Sequence, residues 1–147
     1  MASFSDHISQ ACHNYSFINF INNNSDNFYD WRVTVNFYIC THIINAHLAY
    51  VENAHYRTHS DVEYAINPWN NGASSLPKEV FLSYKKLHNL SRRSRYLIHE
   101  DKNMASETCV HHTSENHYKK SVNRMTEIVE YFEKAYKIQV INTVHQE

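Results

Sequence analysis

Five basic residues between Lys85 and His99 follow one another at intervals of three, four, three and four: Lys85, His88, Arg92, Arg95 and His99. On a continuous helix with 3.6 residues per turn, this spacing gathers them into one stripe, turned about 100° from the apolar seam of the same segment. A basic stripe suits phosphate, because arginine offers a fork of donors and lysine a mobile point charge. Lys85, His88, Arg92 and Arg95 are therefore the candidate phosphate-binding residues. The plainer alternative is a solvated helix face whose cations favour the C-terminal end of the helix dipole. Arg93 and His99 form a second pattern, an arginine and a histidine with five residues between them. Residues six apart on an uninterrupted helix point about 120° away from each other, so this pair can cooperate only across a helix end or with a partner subunit.

Twelve histidines raise the question of metal. His55 and His59 lie four apart, and His111, His112 and His117 cluster near Cys109, but no spacing matches a familiar zinc motif. Histidine dispersed over the surface is the better explanation, with His42 and His47 as hydrogen-bonded residues of a bundle; no metal and no cofactor are expected. The chain shows no Ser-His-Asp pattern and no paired carboxylates. With a single glycine it has no phosphate-cradling glycine-rich loop either.

The elements that must position these groups are legible from the apolar spacing. Phe4, Ile8, Ala11, Tyr15 and Ile18 recur at alternating fours and threes, which predicts a helix over 4–21. Residues 22–27, rich in Asn, Asp and Ser, then read as a loop. Asp30 can cap a second helix, on which Val33, Phe37, Cys40, Ile44, Leu48 and Val51 form a stripe widened by Tyr38, Ile39 and Ile43; so wide a face predicts the most buried helix. Ser60 and Glu63 have the spacing of a capping box and predict a short helix ending before Pro68. Pro77 suits a first helical turn, and Val80, Tyr84, Leu87, Ser94 and Ile98 predict a third long helix over 77–98. Residues 101–113 are mixed and polar. Ser114 can cap a last helix bearing Tyr118, Val122, Met125, Val129, Phe132 and Tyr136. Tyrosines along these seams suit core edges or a dimer interface.

One glycine and two prolines are too few for the tight turns of a multi-stranded protein, so the expected fold class is all-α. Four amphipathic helices can hide their stripes only against one another, as a four-helix up-and-down bundle with a short extra helix between the second and third main helices. The 147 residues suit one domain, 1–147. A net charge of −1 provides no global field toward nucleic acid or membrane, so attraction to phosphate must come from a local patch. The three widely spaced cysteines, Cys12, Cys40 and Cys109, read as reduced thiols. Neither a signal-like start nor a membrane-length apolar run is present, so the expected location is cytoplasmic, without membrane association.

The segments Asn36 to His42, His55 to Ser60 and Tyr84 to Tyr96, taken with the order of the helices, resemble the HEPN family of helical-bundle domains over roughly residues 29–136. In many members of that family an Arg, four to six residues and then a His form the site of a metal-independent ribonuclease, completed by two subunits. The resemblance implies Arg93 and His99 as catalytic residues; Arg92 also fits the window, whereas Arg95 is too close. RNA carries its own nucleophile, the 2′-hydroxyl, so His99 would transfer protons and Arg93 would steady the charge developing on the phosphate. It further implies a homodimer that binds RNA or a nucleotide, as a ribonuclease of a toxin or defence system. A non-catalytic branch, in which the end of this helix is structural, stays open. The rival reading is a non-enzymatic interaction or regulatory module docking a separately encoded protein.

Overall fold

The structure, a computed structural model, describes residues 1–100 and 109–141. Among these residues it is all helical: α1 (Phe4–Asn24), α2 (Tyr29–Glu52), α3 (His59–Ile66), α4 (Lys78–Tyr96) and α5 (Glu115–Tyr136), with a 3-10 turn at Pro68–Asn70. The short extra helix is α3. Part of the polar connection expected at 101–113, residues 101–108, lies outside the described residues.

Each helix starts and stops for a local reason. At α1, the Ser3 hydroxyl accepts the Asp6 N–H while Asp6 accepts the Ser3 N–H at 2.8 Å, a reciprocal cap. The helix runs to Asn24, three residues past the expected end. The start of α2 departs from expectation: Phe28, in the left-handed region at φ 63°, is the cap, and Asp30 sits in the first turn, where its charge still suits the helix dipole. The Arg32 guanidinium donates back to the Ser25 carbonyl and closes the turn. The cap of α3 is Thr58 rather than Ser60, because Thr58 has its own acidic partner three residues on. Its hydroxyl accepts the Asp61 N–H at 3.2 Å and donates to the Asp61 carboxylate at 2.6 Å. Pro77 caps α4. Ser114 caps α5 as expected, its N–H donating to His117 Nδ1 at 3.0 Å.

The central helix is α2, which packs against α1, α4 and α5. Phe37, Ile44 and Leu48 on it, Tyr84 and Leu87 on α4, and Ile128 and Phe132 on α5 are all fully buried in one continuous core. Each such side chain contributes about 1.5–3 kcal/mol by leaving water, and Phe132→Ala would cost about 3–5 kcal/mol once the cavity is included. Cross-helix contacts set the directions. Phe4 packs on Tyr50 and Tyr136, His47 meets Tyr136 and the Ser74 carbonyl, and Ser83 donates to Glu127. The start of α1 thus lies beside the ends of α2 and α5, and α1 runs opposite to both. No helix among the described residues is long and apolar enough to cross a membrane.

Helix α4 stops two residues earlier than its apolar seam suggested. Leu97 adopts φ 58°, and its N–H returns to the Arg93 carbonyl at 2.9 Å. His99 thus lies beyond the helix, and the five-residue basic stripe does not run along one continuous rod.

Candidate functional site

The left-handed turn at Leu97 folds the chain back beside Arg93, where the end of α4 meets the start of α5. One guanidinium nitrogen of Arg93 donates to Glu100 Oε2 at 2.6 Å, and its Nε donates to the His112 carbonyl at 2.8 Å. Burial raises the Glu100 carboxyl. Hydrogen bonds from its own backbone and from Arg93, with the charges of Arg93 and His99, outweigh that and hold it below the ordinary value. His117 Nε2 lies 3.8 Å from Glu100 Oε1. Burial, then the nearby Arg93 cation, lowers the His117 pKa against the opposing pull of Glu100. Because His117 Nδ1 accepts from Ser114, the neutral ring carries its proton on Nε2, toward Glu100. His99 packs edge-on against His111, at 5.1 Å between ring centroids, and its charge is felt at both Glu100 and His117. A helix end falls between Arg93 and His99, one of the two arrangements, with a partner subunit the other, by which residues six apart could act together.

Beside this cluster, Lys86, Asn89 and Leu90 of α4 face Lys120 and Arg124 of α5 across a cavity of about 380 Å³ that Glu100 closes at one side. Lys86, Asn89 and Leu90 share a helix face by their three- and four-residue spacing, as do Lys120 and Arg124. Three cations thus border the cleft with one carboxylate. Arg124 also reaches Glu127 at 3.1 Å. Asn89 Oδ1 is buried without a hydrogen-bond partner. The three cations can together hold an anion.

The residues expected to bind phosphate are placed differently. Lys85 lies over the Phe81 ring, at 5.6 Å. His88 is only 9% exposed, bonds Glu63 through Nδ1 at 3.0 Å and stacks on Phe37, so it belongs to the interior. Arg92 is half-buried. Arg95 forks onto the Ser91 carbonyl and hydroxyl and lies over Phe37 and Tyr96; it lines a separate cavity with Asp30, Trp31 and Tyr38. His88 and Arg95 turn toward α2 and α3, and the α4–α5 cleft is bordered by other cations.

No family model, curated protein or solved structure matches the chain.

Sequence reasoning missed Lys86, Glu100, Lys120 and Arg124, and weighed His117 only as a metal ligand. The pattern of α4 holds Lys86 as plainly as Lys85, but nothing in one helix says which face a second helix will border. Cys109, His112 and His117 are not gathered: Cys109 Sγ is 3.4 Å from His111 Nε2, while His112 offers its carbonyl to Arg93. His47 is hydrogen-bonded at both ring nitrogens, to the Tyr136 hydroxyl at 2.6 Å and the Ser74 carbonyl at 3.0 Å, in keeping with its expected place in the bundle.

Proposed function

We propose that this is a HEPN-like helical domain that binds the phosphates of RNA or a nucleotide in the cleft between α4 and α5. The observation that carries the reading is the convergence of Lys86, Lys120 and Arg124, from two helices, on one cleft beside the Arg93–Glu100–His117 cluster. Cations on two helices present their charge without a flexible loop to order. Ribonuclease action would use His99 for proton transfer and Arg93 at the phosphate. For that step Arg93 must exchange Glu100 for substrate, and self-association, implied by the resemblance alone, would bring a second cluster alongside.

The test is binding of a short single-stranded RNA by the full chain at several salt concentrations. Lys86→Ala with Lys120→Ala should weaken binding about tenfold or more and flatten the salt dependence by about 0.7 per lost phosphate contact. Equal affinity and slope in the double variant would remove the proposal. Incubation with mixed RNA, beside Arg93→Ala and His99→Ala, decides cleavage separately from binding; loss of cleavage in both supports those roles, and cleavage unchanged in both removes them. A second reading, the non-enzymatic docking module, is favoured by one observation: Arg93 is already committed to Glu100 and the His112 carbonyl, as a structural residue would be.

A further inference from the structure

The cavity that Arg95 lines, where the start of α2 comes against the last turn of α4, has a composition of its own. It measures about 430 Å³ and is walled by Asp30, Trp31, Thr34 and Tyr38 of α2 and by Ser94 and Arg95 of α4. Trp31 is 59% exposed, Tyr38 36% and the neighbouring Tyr96 61%, although α2 is the helix that three others cover. Exposed rings gathered at one cavity mark a contact surface. The polar walls say what kind of contact. Arg95 is held in place: its Nε and Nη2 donate to the Ser91 carbonyl and hydroxyl at 3.3 and 3.2 Å, and its guanidinium lies over Phe37 and Tyr96. The remaining nitrogen, Nη1, is the donor it can offer a ligand. From the other helix, the ionised Asp30 carboxylate offers acceptors alone. Among the described residues the ion pairs join other groups, so Asp30 and Arg95 share this cavity without neutralising each other.

From this arrangement we infer that the α2–α4 cavity takes an unpaired nucleobase, its face stacked on Trp31, its edge donating an N–H to Asp30 and accepting one from Arg95. A flat ring with both donors and acceptors on its edge satisfies every wall at once. An apolar side chain would leave Asp30 and Arg95 without partners, a cation would meet Arg95, and a bare phosphate would meet Asp30. Bases inside a duplex have their edges paired and their faces covered, so such a cavity selects single strands. The inference rests on the proposed RNA reading only for the source of the base. The last turn of α4 borders both places, with Arg93 beside the phosphate cleft and Ser94 and Arg95 at this cavity.

The test uses the full chain carrying Trp69→Phe, which leaves Trp31 as its one indole. Nucleoside 5′-monophosphates, a short single-stranded RNA and the duplex of the same sequence are titrated while tryptophan emission is followed. The monophosphates and the single strand should quench saturably, the duplex little. In the native background, Trp31→Ala, a change at an exposed ring, should weaken binding of a labelled single strand about tenfold with its salt dependence unchanged, since stacking releases no counterions. Asp30→Ala should weaken it about fivefold. Lys86→Ala with Lys120→Ala should keep the quenching by monophosphates while flattening the salt dependence of RNA binding, which separates the two sites. RNA bound with no quenching, or native single-strand affinity in Trp31→Ala, overturns the base site and leaves the phosphate cleft standing. Quenching by monophosphates in a chain whose RNA affinity ignores Lys86 and Lys120 supports the base site and removes the cleft. Circular dichroism of each variant confirms that lost binding is not lost fold.

Discussion

Arg93 and Glu100 meet at 2.6 Å across the left-handed turn that ends α4, so the cation expected to hold a phosphate already holds a carboxylate. Arg93 is 12% exposed and Glu100 28% by side chain. A pair this sheltered ties the end of α4 to the loop before α5, and an anionic ligand entering the neighbouring cleft would compete with Glu100 for the same guanidinium.

Removing Arg93 strands the Glu100 carboxylate and the His112 carbonyl together. Arg93→Ala should therefore destabilise the fold by about 1–3 kcal/mol, the usual cost of leaving sheltered polar groups without partners. Glu100→Gln in the Arg93→Ala background should add little, because the charge that needed the arginine is gone; the two losses should fall short of additivity by about 1 kcal/mol. Urea melts of the two single variants and the double variant measure this coupling. Strict additivity would mean that the pair contributes nothing to the fold.

The helices were legible because burial imposes a period. Val33, Phe37, Cys40, Ile44 and Leu48 announce the face of α2 that lies against three other helices, and all five are buried. The ends were less legible. Phe28 and Leu97 take left-handed backbone without being glycine or asparagine, so neither composition nor propensity marks them. The site was harder still. Arg93 and His99 could be picked out by spacing, and Lys85, His88, Arg92 and Arg95 by stripe, yet the face of α4 that borders α5 carries Lys86 and Asn89 instead. Trp31 and Arg95 are far apart in the sequence, and only the packing of α2 on α4 brings them to one cavity.

The cap of α3 separates two readings of one stretch of sequence. Thr58→Ala removes the hydroxyl that accepts the Asp61 N–H, which should cost about 1 kcal/mol. Ser60→Ala alters an exposed residue within the helix and should change stability by less than about 0.5 kcal/mol. Thermal unfolding of the two variants side by side checks the assignment; the reverse order would restore Ser60 as the cap.

Leu97 is a bulky residue in a conformation that glycine adopts without strain, and its side chain is 43% exposed, so little burial compensates it. Leu97→Gly should keep the N–H bond to the Arg93 carbonyl and raise stability by about 0.5–1 kcal/mol. Differential scanning calorimetry would show a higher midpoint. A fall of 1 kcal/mol or more would mean that the Leu97 side chain contributes packing that outweighs its backbone strain.

Acid should loosen this protein well above the range in which carboxylates protonate. Burial is the leading cause that lowers the pKa of His7, His42, His47 and His59 below the ordinary histidine value, with neighbouring histidines adding to the effect at His7, His42 and His59. Above about pH 6.5 these rings are neutral in both the folded and the unfolded chain, and their contribution is fully present. As the pH falls through 6.5 the unfolded chain takes up protons that the folded chain resists, so stability declines until each folded ring also titrates; the ceiling is about 1.4 kcal/mol per pH unit for each proton. Asp6, Glu100 and Glu127 are likewise shifted downward, below the ordinary carboxyl values, so the stability they confer is intact through this window and is lost only at lower pH. Denaturant midpoints between pH 7.5 and 5.0 should therefore fall with acidification. The fall should be shallower in His47→Gln, which removes one of the resisting rings from between Tyr136 and the Ser74 carbonyl. A flat profile over that interval, or an identical slope in the variant, would mean that the His47 ring takes up its proton as readily in the bundle as in the unfolded chain.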